Sequence, residues 1–158
     1  MSGVRADGGF PGQALPDLEG AQRSLADAWK EGDALILIGH KNCKTTRQTL
    51  PFVDRIHRRR SPRRGVLAIL QDAPEDALAL KEKLGLELPI RLEADPYLLA
   101  QAVSLVTVPT LFLVDREGQI RAISEGFVRA DLEAFAARLG VASPLFVPED
   151  KAPAMTPG

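Results

Sequence analysis

The stretch Ala34-Leu-Ile-Leu-Ile-Gly-His-Lys-Asn-Cys43-Lys-Thr-Thr-Arg-Gln-Thr-Leu-Pro51-Phe-Val-Asp-Arg-Ile56 decides the fold of this chain of 158 residues. It begins with an unbroken apolar run, residues 34–38, which predicts a strand buried on both faces. A polar elbow follows, and Cys43 then opens a helical pattern with one apolar face, formed by Leu50, Val53 and Ile56. The sequence therefore predicts that a buried strand delivers a thiol to the first turn of a helix.

Cys43 is the only cysteine, which excludes an intramolecular disulfide and a cysteine-based zinc site. The unpaired N–H groups and the positive end of a helix dipole favour an anion, and they lower the pKa of a thiol placed there. Lys41, Lys44 and a protonated His40 would favour the thiolate further. We expect a reactive thiol, and the alternative is an inert cysteine. The two histidines show no metal-binding pattern, so we expect no metal and no cofactor.

The composition suits one domain, and the net charge of −1 selects neither nucleic acid nor a membrane as partner. No apolar run reaches the length of a membrane span. The N-terminus lacks the apolar core of a secretory signal, which leaves the compartment open between the cytoplasm and, after removal of a leader, the periplasm. The arginines at 58–60 and 63–64 are interpreted as a solvated helix end rather than an anion site. We divide the chain into a flexible N-terminus (1–12), a domain (13–140) and a Pro-rich C-terminal tail (141–158).

Beyond the opening stretch, apolar strands alternate with amphipathic helices. The predicted strands are 66–70, 88–92, 106–114 and 119–123, and the predicted helices are 74–84, 96–102 and 131–139. Asp95 is expected to cap the helix that starts at Pro96. Two apolar strands joined by a helix imply a parallel βαβ unit, and the turn at 115–118 makes the last two strands a hairpin. The predicted fold class is α/β, a mixed sheet with helices on both faces.

Six short motifs occur in a fixed order: Leu15-Pro-Asp-Leu18, Ser24-Leu-Ala-Asp27, Cys43-Lys-Thr-Thr46-Arg47, Leu50-Pro51, Val108-Pro109-Thr110 and Asp115-Arg-Glu-Gly118. In this order and spacing the chain resembles the thioredoxin-like superfamily. It is most similar to the TlpA/ResA-like, redoxin-related branch of bacterial thiol–disulfide oxidoreductases. The resemblance covers roughly Phe10 to Gly140 and implies a thioredoxin-like fold, with a mixed central sheet and a cis-Pro loop that faces the active-site helix.

The resemblance also implies roles for individual residues. Cys43 would be the attacking thiol, cis-Pro109 would face it, and the backbone of Val108 would hold an extended substrate. Thr46 stands where the resolving cysteine is expected and would support the sulfur instead. The remaining substrate-binding candidates are polar or cationic where the family is apolar: Asn42, His40 and Lys41.

Two departures limit the chemistry that the resemblance implies. Thr46 replaces the second thiol, and Leu37 occupies the position of a buried acid that shuttles protons in thioredoxins. A two-thiol cycle therefore cannot run within this chain. For His40, the alternatives are a proton acceptor near the sulfur and an exposed elbow residue.

Three functions follow as hypotheses. The first is a thiol–disulfide oxidoreductase with one thiol, resolved by an external thiol. The second is a non-catalytic module that binds an extended peptide in the same groove, and the third is a one-cysteine peroxidase. The expected partner is a protein or a low-molecular-weight thiol or disulfide, and an exposed Cys43 also allows a disulfide-linked dimer on oxidation. The sequence does not decide whether the chain is an enzyme.

Overall fold

The structure, a computed structural model, describes residues 8–158. The strands in this range are β1 (Ala14–Pro16), β2 (Gln22–Ser24), β3 (Ala34–Gly39), β4 (Gly65–Leu70), β5 (Ile90–Leu92), β6 (Thr110–Val114), β7 (Ile120–Glu125), β8 (Phe127–Val128) and β9 (Met155–Thr156). The α-helices are α1 (Lys44–Arg59), α2 (Pro74–Leu84), α3 (Leu98–Ala102) and α4 (Arg129–Arg138). Among the described residues, none of the helices combines the length and the apolar composition needed to cross a bilayer.

The central sheet has the strand order β5-β4-β3-β6-β7, with the predicted apolar strand β3 in the middle. β3 runs parallel to β4 and antiparallel to β6, so the predicted mixed α/β sheet is confirmed. Ile38, near the end of β3, pairs with Thr110 at the start of β6. Because β6 runs the opposite way, the loop before Thr110 lies beside the elbow that follows β3. This register brings Pro109 to the same edge of the sheet as Cys43.

Both faces of the sheet are covered, which explains why β3 is an unbroken apolar run. Leu35 and Leu37 belong to a core that also contains apolar side chains of α1, α2 and α4. Ile36 and Ile38 point into the opposite core, where they pack with α3 and with the aromatic residues Phe10, Trp29 and Phe112. Every residue of β3 is buried, as its sequence predicts.

Helix α3 begins later than the sequence predicts. The Asp95–Pro96 peptide bond is cis. The helix starts only at Leu98, because Tyr97 before it adopts a left-handed conformation with φ of 57°. The expected cap by Asp95 is therefore wrong. The buried carboxylate of Glu93 takes this role, since it accepts hydrogen bonds from the backbone N–H groups of Leu99 (2.6 Å) and Ala100 (3.1 Å).

The strand predicted over 106–114 is shorter than expected, because residues 106–109 form a loop and β6 begins at Thr110. Proline has no N–H to donate to a sheet ladder, which is consistent with Pro109 standing just before the strand. The hydroxyl of Thr110 donates to the carbonyl of Thr107 at 2.7 Å and closes the loop. The loop thus has a fixed position at the edge of the sheet.

The N-terminal boundary of the domain lies before the predicted residue 13. Gly9 forms a β-bridge with Gln119, and Phe10 is buried, with its N–H donating to the carbonyl of Gly118 at 2.8 Å. Of the N-terminus that the sequence predicts to be flexible (1–12), residues 1–7 lie outside the described residues. Residues 8–12 are part of the fold.

Residues 141–158 are folded onto the domain, which differs from the expected C-terminal tail. Phe146 is only 3% exposed, and its ring centroid lies 4.6 Å from that of Phe52 and 6.0 Å from that of Phe127. The proline content predicts a segment without stable structure, but the side chains of Leu145 and Phe146 are buried in the hydrophobic core. Burial of this pair fixes the segment against α1 and β8.

A charged pair holds the same segment closer to its end. The guanidinium of Arg55 donates to both carboxylate oxygens of Asp150, at 2.7 and 3.0 Å. These bonds, together with the N–H of Val147, lower the pKa of Asp150 to about 2. Because that pKa lies below the ordinary value, the pair is intact at neutral pH and is lost only as the pH falls through about 2.

Replacement of Phe146 by alanine tests whether this segment belongs to the folded domain. The change removes a buried aromatic ring, and we expect the free energy of unfolding in urea to fall by about 3–5 kcal/mol. The neighbouring Val147→Ala is the matched control, because Val147 is 41% exposed. We expect the control to change the stability by no more than about 0.5 kcal/mol. Equal effects of the two variants would show that the segment contributes no specific packing.

Candidate active site

Cys43 stands between the end of β3 and the first turn of α1, where it is the N-cap residue. Its N–H donates to the carbonyl of His40 at 3.2 Å, which closes the elbow as a tight turn. Gly39 allows Thr46, in the first turn of α1, to lie close to the end of β3. A Cβ atom at position 39 would lie 2.7 Å from Cγ2 and 2.8 Å from Oγ1 of Thr46. Because residue 39 is a glycine, the first turn of the helix packs directly against the end of the strand.

The thiol of Cys43 has a lowered pKa. Burial alone raises this pKa, but the hydroxyl of Thr46 and the backbone N–H groups of Thr46 and Thr45 favour the thiolate and outweigh it. The positive charge of Arg47 lowers the pKa further. The net result is a half-buried thiol whose ionised form is stabilised by the helix N-terminus, as expected for a reactive cysteine.

Thr46 places a buried hydroxyl beside the sulfur of Cys43. Its side chain is fully buried, and its Oγ1 has no hydrogen-bond partner among the described residues while Cys43 is a thiol. A buried, unpaired hydroxyl beside a thiol gains a hydrogen bond when the thiol loses its proton. The hydroxyl of Thr46 therefore favours the thiolate of Cys43 over the thiol.

The loop of Val108 and Pro109 faces the thiol. The Val108–Pro109 peptide bond is cis, and the thiol of Cys43 donates to the carbonyl of Val108 at 3.3 Å. The carbonyl of Pro109 accepts from the N–H of Gly126 at 2.8 Å, which ties the loop to the segment that follows β7. The two residues singled out from the sequence, Cys43 and Pro109, thus come together across the edge of the sheet.

An open groove of about 480 Å³ runs past the thiol. Its lining combines Cys43 and His40 with Gln71, Gly158 and the loop residues Leu105, Val106, Thr107 and Val108. His40 is half-buried here, and its Nδ1 has no partner among the described residues. Asn42 is exposed beside Cys43 and does not line this groove. The structure therefore brings His40 and Val108 to one face of the thiol and leaves Asn42 on the rim.

The cation that lowers the pKa of the thiol is Arg47, which is none of the three that the sequence suggests, Lys41, Lys44 and His40. Lys41 turns towards α2, where its ammonium pairs with Asp76 at 2.9 Å and its N–H donates to the carboxylate of Asp72 at 3.0 Å. Arg47 instead lies within reach of the sulfur, and its Nη1 donates to the carbonyl of Lys41 at 2.5 Å. The sequence could have indicated Arg47 by its spacing of four residues from Cys43, because residues four apart lie on the same face of a helix.

Among residues 8–158, no group of three or more histidine, cysteine, aspartate or glutamate side chains is arranged to hold a metal ion. The site therefore offers a thiol, a buried hydroxyl, backbone N–H groups and one nearby guanidinium. This set supports nucleophilic chemistry at sulfur.

Residues 9–123 match the AhpC/TSA family. The chain belongs to this family. No curated protein matches the chain. The family assignment agrees with the predicted redoxin branch of thioredoxin-like proteins, and it extends from the first described residues through most of β7.

Solved structures share the fold of this AhpC/TSA-family chain. One is a candidate thiol:disulfide interchange protein, DsbE, from Chlorobium tepidum (22% identity, 85% of this chain and 95% of that chain covered, TM-score 0.74). Another is a secreted disulfide oxidoreductase from Mycobacterium tuberculosis, homologous to DsbE of E. coli (14% identity, 80% of this chain and 95% of that chain covered, TM-score 0.68). The peroxidoxin BcpB from M. tuberculosis is similar too (14% identity, 87% of this chain and 97% of that chain covered, TM-score 0.71). At these identities the similarity confirms the predicted thioredoxin-like fold.

The Thr46→Val variant tests the role assigned to the buried hydroxyl. Valine keeps the volume but cannot donate a hydrogen bond, so we expect the pKa of Cys43 to rise and alkylation by iodoacetamide near neutral pH to slow about tenfold. The pH profile of the alkylation rate measures both effects. Thr49→Val, one turn further along the same helix, is the matched control and is expected to leave the profile unchanged. An unaltered profile in Thr46→Val would rule out this role.

Proposed function

We propose that this AhpC/TSA-family protein is a thiol–disulfide oxidoreductase that works through the single thiol of Cys43. The observation that carries the proposal is the placement of this thiol at the N-terminus of α1, with a lowered pKa and opposite the carbonyl of Val108. A thiolate is the attacking species in disulfide exchange, and a groove beside it gives a substrate access.

The proposed reaction has two exchange steps. The Cys43 thiolate attacks one sulfur of a substrate disulfide, forms a mixed disulfide and releases the other sulfur as a thiolate. An external thiol, deprotonated, then attacks the substrate sulfur of the mixed disulfide and regenerates the Cys43 thiolate. The substrate disulfide is thereby cleaved and the external thiol is oxidised into a new disulfide with one of its sulfurs, so the number of disulfide bonds is unchanged and no other oxidant or reductant is needed. An external thiol is required because the chain has one cysteine.

The other site residues have supporting roles in this proposal. Thr46 donates to the thiolate, and the loop of Val108 and cis-Pro109 positions the backbone of the substrate. His40 borders the groove and contacts a bound substrate. Asn42 is exposed beside Cys43, and Lys41 is paired with Asp76 away from the groove, so neither is assigned a substrate contact. The partner is a protein or a small thiol or disulfide, and the half-exposed thiol also permits a disulfide-linked dimer under oxidation.

Two other functions are supported by specific observations. A non-catalytic peptide-binding module is consistent with the backbone of residues 153–158, which pairs with β8 and reaches the groove beside the thiol at Gly158. A one-cysteine peroxidase draws on the similarity to the peroxidoxin BcpB. It ranks third because the threonine follows the cysteine here, in Cys43-Lys-Thr-Thr46, whereas peroxiredoxins place it before the cysteine.

The test uses the mixed disulfide of glutathione and 2-mercaptoethanol as substrate, with glutathione as the resolving thiol. We expect the protein to accelerate its reduction at least about tenfold over the Cys43→Ser variant. A glutathione adduct on Cys43, seen by intact mass after treatment with glutathione disulfide, would identify the intermediate.

The outcomes separate the three functions. A protein that forms the adduct but does not exceed Cys43→Ser in rate would contradict the enzyme proposal and favour the binding module. Catalytic consumption of hydrogen peroxide over many turnovers, without activity towards the disulfide, would instead establish the peroxidase.

A further inference from the structure

Residues 153–158, which include the two-residue strand β9, run along the edge of the molecule that carries the thiol. β9 pairs antiparallel with β8, with Thr156 opposite Phe127 and Met155 opposite Val128. The carbonyl of Ala154 extends the pairing by accepting from the N–H of Arg129 at 3.0 Å. The segment is therefore held as an added strand.

The end of this segment reaches the site itself. The hydroxyl of Thr45, two residues after Cys43, donates to the carbonyl of Pro157 at 2.7 Å. Gly158 lines the same groove as Cys43, and a Cβ atom on it would lie 2.6 Å from the carbonyl oxygen of Val108. That carbonyl is the one to which the thiol donates. Residues 153–158 thus occupy space next to both the thiol and the loop that faces it.

Gly126 is shaped for this occupant. Its φ of +79° lies in the left-handed region, and a Cβ atom there would come within 2.6 Å of the carbonyl oxygen of Thr156 and 3.0 Å of the nitrogen of Gly158. Any side chain would push the segment out. The close contact between the backbone at Gly126 and the backbone of residues 156–158 therefore requires a glycine at position 126.

The segment is held by its backbone more than by burial. Met155 is 64% exposed, and Pro153, Ala154, Pro157 and Gly158 are exposed as well. A short strand with few hydrogen bonds and little apolar burial belongs to the least stable parts of a fold. It can therefore leave the groove without unfolding the domain, and another extended backbone can use the same donors and acceptors.

We infer that residues 153–158 are an intramolecular ligand of the groove beside Cys43. An extended polypeptide substrate must displace them before it reaches the thiol, whereas a small disulfide enters through the open side of the groove. The segment therefore selects small partners over extended ones. The inference rests on the proposed function only where it concerns substrates, since occupancy of the groove requires no chemistry at sulfur.

The test compares two alkylation rates of Cys43 in each variant. One reagent is N-ethylmaleimide, and the other is the same maleimide attached to an extended ten-residue peptide. The ratio of the two rates cancels any change in the pKa of the thiol and reports access for an extended chain. Alkylation needs only a thiol, so the ratio stays measurable in a protein without exchange activity.

Truncation of the chain after residue 152 should raise the ratio of the alkylation rate with the peptide maleimide to that with N-ethylmaleimide at least about tenfold. Thr45→Val, which removes only the bond to Pro157, should raise it about fivefold, the effect of about 1 kcal/mol. Met155→Ala is the matched control, because it changes an exposed side chain and keeps the backbone pairing, and its ratio should not change.

Circular dichroism confirms the fold of each variant, and Thr45→Val serves as the test if the shortened chain does not fold. An unchanged ratio in the folded variants would overturn the inference. A raised ratio in a protein without exchange activity would leave the inference standing and refute only the proposed function.

Discussion

The antiparallel pairing of β3 with β6 is the constraint on which the site depends. Because Ile38 is paired with Thr110, the end of one strand and the start of the other share an edge of the sheet. Cys43 follows the first strand and Pro109 precedes the second, and residues 66 positions apart in the chain meet across that edge. Burial of β3 on both faces fixes this register, since a shift by one residue would exchange the two cores.

The sheet and the thiol are the parts that the sequence predicts well. Unbroken apolar runs reveal β3 and β4, and α2 spans the predicted residues 74–84, with Gly85 directly after it in a left-handed conformation. The place of Cys43 at the start of α1 follows from the switch between strand and helix patterns around Gly39. These predictions succeed because local periodicity and burial agree.

The features that the sequence does not predict depend on contacts between distant segments. The cap of α3 is Glu93, which lies before the cis bond at Pro96 rather than next to the helix. Pairing with Asp76 orients Lys41 away from the thiol, so that Arg47 acts on it instead. The folding of residues 141–158 depends on the partners of Phe146 and on Asp150, which a proline-rich composition conceals. None of these partners is adjacent in sequence.

The pKa of Cys43 tests the central claim most directly, because the thiolate connects the fold to the proposed chemistry. It is measured from the absorbance of the thiolate as a function of pH, with Cys43→Ser as the blank. Hydrogen bonds from Thr46 and from the helix N-terminus predict a value below that of a free thiol, which is about 8.5. A value at or above about 8.5 would contradict the claim that this site prepares Cys43 for nucleophilic attack.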